Sequence, residues 1–158
     1  MSDLPLPEPV PGVREVRLQR VLRAPPEVVY RAFTDAAAMA KWLPPRGFVC
    51  EVQAMDVRVG GRFRMSFRHL ASGAAHGFGG EYLLLEPGRA LRYTDVFDDP
   101  GLPGVLTVDV RLREVDGLCE LHAVQSGIPD VIPLAMCHLG WQDSLDQLAA
   151  LVEAPAAG

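Results

Sequence analysis

The sequence predicts an α+β domain: a curved antiparallel sheet of about six to seven strands wrapped around one long C-terminal helix, with two short helices after the first strand. Three observations carry that prediction. Helical periodicity is confined to two short stretches near the start and one long stretch at the end; nearly everything between them alternates with period two; and turn residues interrupt the alternation at short intervals. The 158 residues suit one domain, and 49% hydrophobic against 22% charged residues supplies a core that a disordered chain lacks.

The first strand is expected over Arg14–Leu22, where Val16, Leu18 and Leu22 share a face and Arg17 and Gln19 point away. Pro25 and Pro26 end it, and Pro26 suits the first turn of a helix with Glu27 favourable to its dipole, over about Pro26–Phe33. Thr34 and Asp35 are good caps for a second short helix, Ala36–Trp42, which Pro44, Pro45 and Gly47 terminate. Alternation then sets in. Strands are expected over Phe48–Val57, Arg62–His69, His76–Glu86, Ala90–Phe97, Leu106–Glu114 and Leu118–Gln125, with turns at Gly60-Gly61, Pro87-Gly88 and Asp116-Gly117. A helix over about Ile132–Glu153 closes the chain. Its Leu134, His138, Trp141, Leu145, Leu148 and Val152 fall at spacings of three and four on one stripe, which would cover the apolar face of the sheet. Gly140 beside Trp141 is expected to allow a close approach of backbone to sheet or side chain. Residues 1–13, with prolines at 5, 7, 9 and 11, read as a disordered arm; 14–153 form the domain and 154–158 a tail.

Several function classes recede. A net charge of −5 removes the basic-patch argument for nucleic acid. No apolar run approaches the roughly 20 residues of a membrane helix, so no membrane insertion is expected. The opening residues lack the basic flank and apolar stretch of a signal peptide, so a cytoplasmic location is expected. Cys50, Cys119 and Cys137 are far apart and lack metal-ligand spacing, so they are read as buried thiols; no metal and no cofactor are expected. No nucleophile elbow or H-E-x-x-H pair is present, and no catalytic residue is assigned.

Five motifs in order resemble one family. The run Arg20–Asp35 (RVLRAPPEVVYRAFTD) resembles the opening of the SRPBCC, or START-related, superfamily. Lys41-Trp42-Leu43, the Asp56–Gly61 hairpin (DVRVGG), Gly80–Pro87 (GEYLLLEP) and His138–Trp141 (HLGW) resemble its branch of homologues of the heat-shock-protein-90 ATPase activator. The resemblance covers about residues 14–153. It implies a helix-grip fold with a cavity between sheet and long helix, in a superfamily that includes lipid and sterol carriers, aromatase/cyclases and hormone receptors. Fold alone does not select among these.

Within the cavity that the resemblance implies, the inward faces nominate a site. Phe33, Trp42, Met65, Phe67, Tyr93, Asp95, Gln125, His138, Trp141 and Leu145 are the expected cavity residues. Asp95 shares a face with Leu91, Tyr93 and Phe97, and Gln125 with Cys119, Leu121 and Ala123; polar groups on such faces would orient a ligand. The alternative for both is a strand end that reaches solvent. His138 is either a core imidazole bonded to a backbone carbonyl or a polar handle in the cavity. The Asp56–Gly61 motif is read as a tight hairpin with Asp56 bonding Arg58 or a neighbouring backbone group, and His69, His76 and His122 as solvated or loop-adjacent. Thr107, Asp109, Arg111 and Arg113 read as a solvent face. The expected partner is a small hydrophobic or amphipathic molecule, bound without chemistry. An enzyme of the cyclase/dehydratase or hydrolase kind, or an interaction module, remains the alternative, and a homodimer is possible.

Overall fold

The computed structural model describes residues 6–153. The expected tail over 154–158 and the first five residues of the expected arm lie outside them. The elements are β1 (Glu15–Leu22), α1 (Pro26–Thr34), α2 (Ala36–Trp42), β2 (Phe48–Met55), β3 (Arg62–His69), β4 (Ala75–Glu86), β5 (Ala90–Phe97), β6 (Leu106–Val115), β7 (Leu118–Ser126) and α3 (Leu134–Val152). Pro26 occupies the first turn of α1, and the Asp35 carboxylate caps α2 by accepting from the Ala38 N–H at 2.9 Å. Residues 6–13 carry no helix or strand; Arg17 donates to the Pro7 carbonyl oxygen.

All seven strands form one antiparallel sheet in the order β1-β7-β6-β5-β4-β3-β2. From β2 onward the chain is a meander, and β1 pairs with the last strand. The α1–α2 segment therefore connects the two edges of the sheet. Local turn chemistry sets the registers. Asp116 and Gly117 both have positive φ between the paired Val115 and Leu118, the geometry of a two-residue hairpin loop whose twist matches its strands. At the Asp56–Gly61 hairpin, Asp56 accepts from Arg58 Nε at 2.8 Å, and Gly60 and Gly61 exchange backbone bonds with Tyr82 of β4 at 2.9 Å each. A side chain at Gly61 would lie 2.1 Å from the Asp56 carbonyl oxygen, so this turn is compact because the position is glycine.

The long helix packs on β1, α1 and α2, with no comparable contact to β3, β4 or β5. Trp141, Leu145 and Leu148 are buried on the expected stripe, together with Ser144 and Ala149. The core under them includes Leu22, Val29, Phe33, Trp42, Val110 and Leu121. No described helix is long and apolar enough to cross a membrane.

The outer face of β6 departs from expectation. Arg113 is exposed, but Asp109 is only 2% accessible. Arg92, its cross-strand partner on β5, donates from Nε at 2.6 Å, and Arg111, two residues along, donates from Nε at 2.5 Å. Two guanidinium groups engage both oxygens of the buried carboxylate, which polar alternation along one strand does not reveal.

Candidate functional site

Because α3 rests on the β1 side, the concave face of β3–β5 lacks a helix against it. A cavity of about 300 Å³ remains there, at the small end of the ~300–1,000 Å³ range of ligand sites. The sheet contributes inward positions at spacing two: Phe63, Met65 and Phe67 of β3, then Tyr93, Asp95 and Phe97 of β5. Between them Phe78 and Tyr82 of β4 also face inward. The rings brace one another, with Phe63 5.6 Å from both Tyr82 and Tyr93 and Phe67 4.8 Å from Phe78. The Phe63–Tyr93 and Phe67–Phe78 pairs meet edge to face, an arrangement aromatic rings favour.

The helical side of the cavity is built by α3. Cys137, Gly140, Trp141 and Ser144 follow the spacing i, i+3, i+4, i+7 and line it. The helix also fixes the segment after α2. Ser144 Oγ donates to the Leu43 carbonyl oxygen at 2.6 Å, and Gln147 Nε2 donates to the Trp42 and Pro44 carbonyl oxygens at 3.1 and 2.5 Å. Leu43 and Pro45 are thereby set into the wall. Nothing lies within 4 Å of where a Cβ on Gly140 would stand. The expected close approach at Gly140 is not what the structure has; the glycine leaves open space toward the cavity.

Polar groups in the wall are few, and Gln125, Trp141 and Ser144 have hydrogen-bond partners. Trp141 Nε1 donates to Gln125 Oε1 at 3.0 Å, tying α3 to β7 and fixing the orientation of the Gln125 amide. His76 stands exposed at the rim. Asp95 is different. The residue as a whole is partly accessible, yet its Oδ1 is withdrawn from solvent and has no hydrogen-bond partner, the only such side-chain atom among the described residues. Burial pushes its carboxyl up to about 7, and the backbone N–H of Val96 offsets part of that effect. Burial, and then the neighbouring Asp95, raises the Tyr93 phenol far above its ordinary value, and burial first among its causes takes Tyr82 up to about 12. Burial also raises the thiols, Cys50 to about 11 and Cys119 to about 12. No group of three or more His, Cys, Asp or Glu side chains suited to a metal ion occurs among the described residues.

Of the ten nominated residues, Phe33, Met65, Phe67, Tyr93, Asp95, Gln125 and Trp141 meet around the cavity; Trp42, His138 and Leu145 do not. Trp42 is fully buried behind Phe33, its ring 4.7 Å from that ring and its Nε1 donating to the Ala32 carbonyl oxygen at 2.8 Å. Leu145, one turn beyond Trp141, is core. His138 is half-buried on the flank of α3 opposite Cys137 and Gly140. Alternation from Met65 and Asp95 would have found Phe63 and Phe97; no sequence signal marks Leu43, Pro45 or Gly140.

Known proteins share the fold. The family model described as "Activator of Hsp90 ATPase homolog 1-like protein" matches residues 23–153. A crystal structure of a Chromobacterium violaceum protein is 57% identical, covering 89% of this chain and 98% of its own, with a TM-score of 0.88. A Rhodobacter sphaeroides crystal structure is 22% identical over 89% of this chain and 92% of its own, with a TM-score of 0.79. A protein of the dynemicin biosynthetic locus, DynU16, is 22% identical over 89% of this chain but 47% of its own, with a TM-score of 0.69. No curated protein matches the sequence.

Proposed function

Since the chain belongs to the family of activator of Hsp90 ATPase homolog 1-like proteins, in the SRPBCC superfamily, we propose that it binds a compact, largely apolar small molecule in the cavity between sheet and α3, as a carrier or sensor. The observation that carries this reading is the cavity itself: about 300 Å³ walled by braced aromatic rings and aliphatic side chains, with a few polar groups at defined places. Such walls favour transfer of apolar surface out of water and supply orientation through their polar minority. Nothing in the wall forms a nucleophile–base pair.

Gly140 offers the test. A side chain there projects into open space, so Gly140→Phe would occupy the cavity without displacing backbone. It also replaces a poor helix former inside α3, which favours folding. Calorimetric titration with 2-methoxynaphthalene is expected to show saturable one-to-one binding to the wild type. Gly140→Phe is expected to weaken it at least about tenfold with an unchanged or raised melting temperature. Absence of binding, or equal binding by a folded Gly140→Phe protein, would rule the reading out.

One observation favours a second reading, an enzyme of the cyclase/dehydratase kind. A buried carboxyl at about 7 is suited to general acid or base work near neutrality. Turnover of a bound aromatic ketone, lost in Asp95→Asn while affinity persists, would select that reading over a carrier.

A further inference from the structure

Building on the ligand-binding reading above, we infer that the ligand carries a hydrogen-bond donor, a hydroxyl or an amine, that pairs with Asp95 Oδ1, and that carboxylate ligands are excluded. A buried acceptor without a donor is rare in folded proteins, because it forfeits its hydration and receives nothing in return. Asp95 Oδ1 is the one side-chain atom in that condition among the described residues, and Asp95 belongs to the wall of the apolar cavity.

The surroundings provide no internal remedy. No Lys or Arg lines the cavity, so no cation of the wall can swing onto the carboxylate. The Tyr82 and Tyr93 hydroxyls, the Gln125 amide and His76 also line the cavity, but none of them donates to Asp95 Oδ1, and the Ser144 hydroxyl proton is committed to the Leu43 carbonyl oxygen. The exposed Asp98, just past the end of β5, takes a two-pronged bond from Arg64 instead. Asp95 faces inward on β5, beside Tyr93 and Phe97, and no group of the wall supplies its donor, which leaves that role to the cavity's contents. The rings on either side suit the apolar body of such a molecule, and their faces also tolerate an ammonium. Above about pH 7, where Asp95 is ionised, a carboxylate ligand would place a second negative charge against it in an apolar enclosure, which is unfavourable on both counts.

Matched probes of one size test this: 2-naphthol, 2-(aminomethyl)naphthalene, 2-methoxynaphthalene and 2-naphthoate, titrated into the wild type, Asp95→Asn and Asp95→Leu. The two donors are expected to bind the wild type at least about tenfold more tightly than the ether, and the naphthoate more weakly than the ether. Comparing the naphthol with the amine identifies which donor the site prefers. In Asp95→Leu the donor advantage is expected to vanish, and in Asp95→Asn the penalty on naphthoate is expected to shrink. Both variants remove an unpaired buried carboxyl, so the wild-type fold should persist, checked by melting temperature. Ether and donors binding the wild type equally would overturn the inference and leave the ligand-binding reading intact. A donor advantage that survives in Asp95→Leu would overturn the role of Asp95. No probe binding at all would overturn both.

Discussion

Asp95 should leave a signature in the pH dependence of folding even without a ligand. Its carboxyl is raised from 3.8 to about 7 in the folded chain, with burial as the leading cause. Below about pH 4 the group is protonated in both folded and unfolded states and contributes no difference. Between about pH 4 and 7 the unfolded chain releases the proton and the folded chain keeps it. The unfolded state then binds fewer protons, and stability falls as pH rises. Above about pH 7 both states are ionised and the loss is constant. Each pH unit across that window corresponds to about 1.4 kcal/mol, so the full interval sums to ~4 kcal/mol. Asp95 is partly accessible as a residue, and water entering the cavity lowers the expected figure to about 2–4 kcal/mol. The assay is urea denaturation of wild type and Asp95→Asn at pH 4, 5, 6, 7 and 8. Subtracting the two curves cancels the other titrating groups. The advantage of Asp95→Asn should grow from pH 4 to 7 and then level off. A difference that is flat across the series would refute the reasoning.

Two further predictions concern the scaffold. Asp109→Ala leaves Arg111, whose side chain is 11% accessible, without its carboxylate; with Arg92 more exposed and partly hydrated, a loss of about 2–4 kcal/mol is expected. That corresponds to a melting temperature lower by roughly 6–12 °C, and an unchanged melting curve would show that the pair contributes nothing. Gly61→Ala sets a methyl 2.1 Å from the Asp56 carbonyl oxygen and must open the β2–β3 turn and its bonds to Tyr82. A fall of about 1–3 kcal/mol in urea-derived stability is expected, and none if the turn relaxes freely.

Local signals were legible from the residues alone. Pro26 and Asp35 start the two short helices, Asp116-Gly117 closes the last hairpin, and Met65, Tyr93, Asp95 and Gln125 lie on the inward faces that alternation assigns them. The apolar stripe of α3 was also correct, with Trp141, Leu145 and Leu148 buried. What periodicity supplied was the face of each residue on its own element. Which flank of that stripe meets the open space was decided elsewhere, by α3 resting on β1, α1 and α2 and leaving β3–β5 uncovered. For that reason His138 lies outside the cavity wall while Gly140 and Cys137 line it. Asp109 follows the same logic: its strand pattern marked it as outward, but only the register with Arg92 shows that it is covered.

By itself, then, the sequence determined the elements, their order, their inward faces and the family. Tertiary structure alone decided where the cavity lies, which polar atoms have partners and that Asp95 Oδ1 has none. The physical reason is range: backbone propensity and side-chain periodicity act within a few residues, whereas a void and an unpaired acceptor are properties of surfaces brought together across the whole chain.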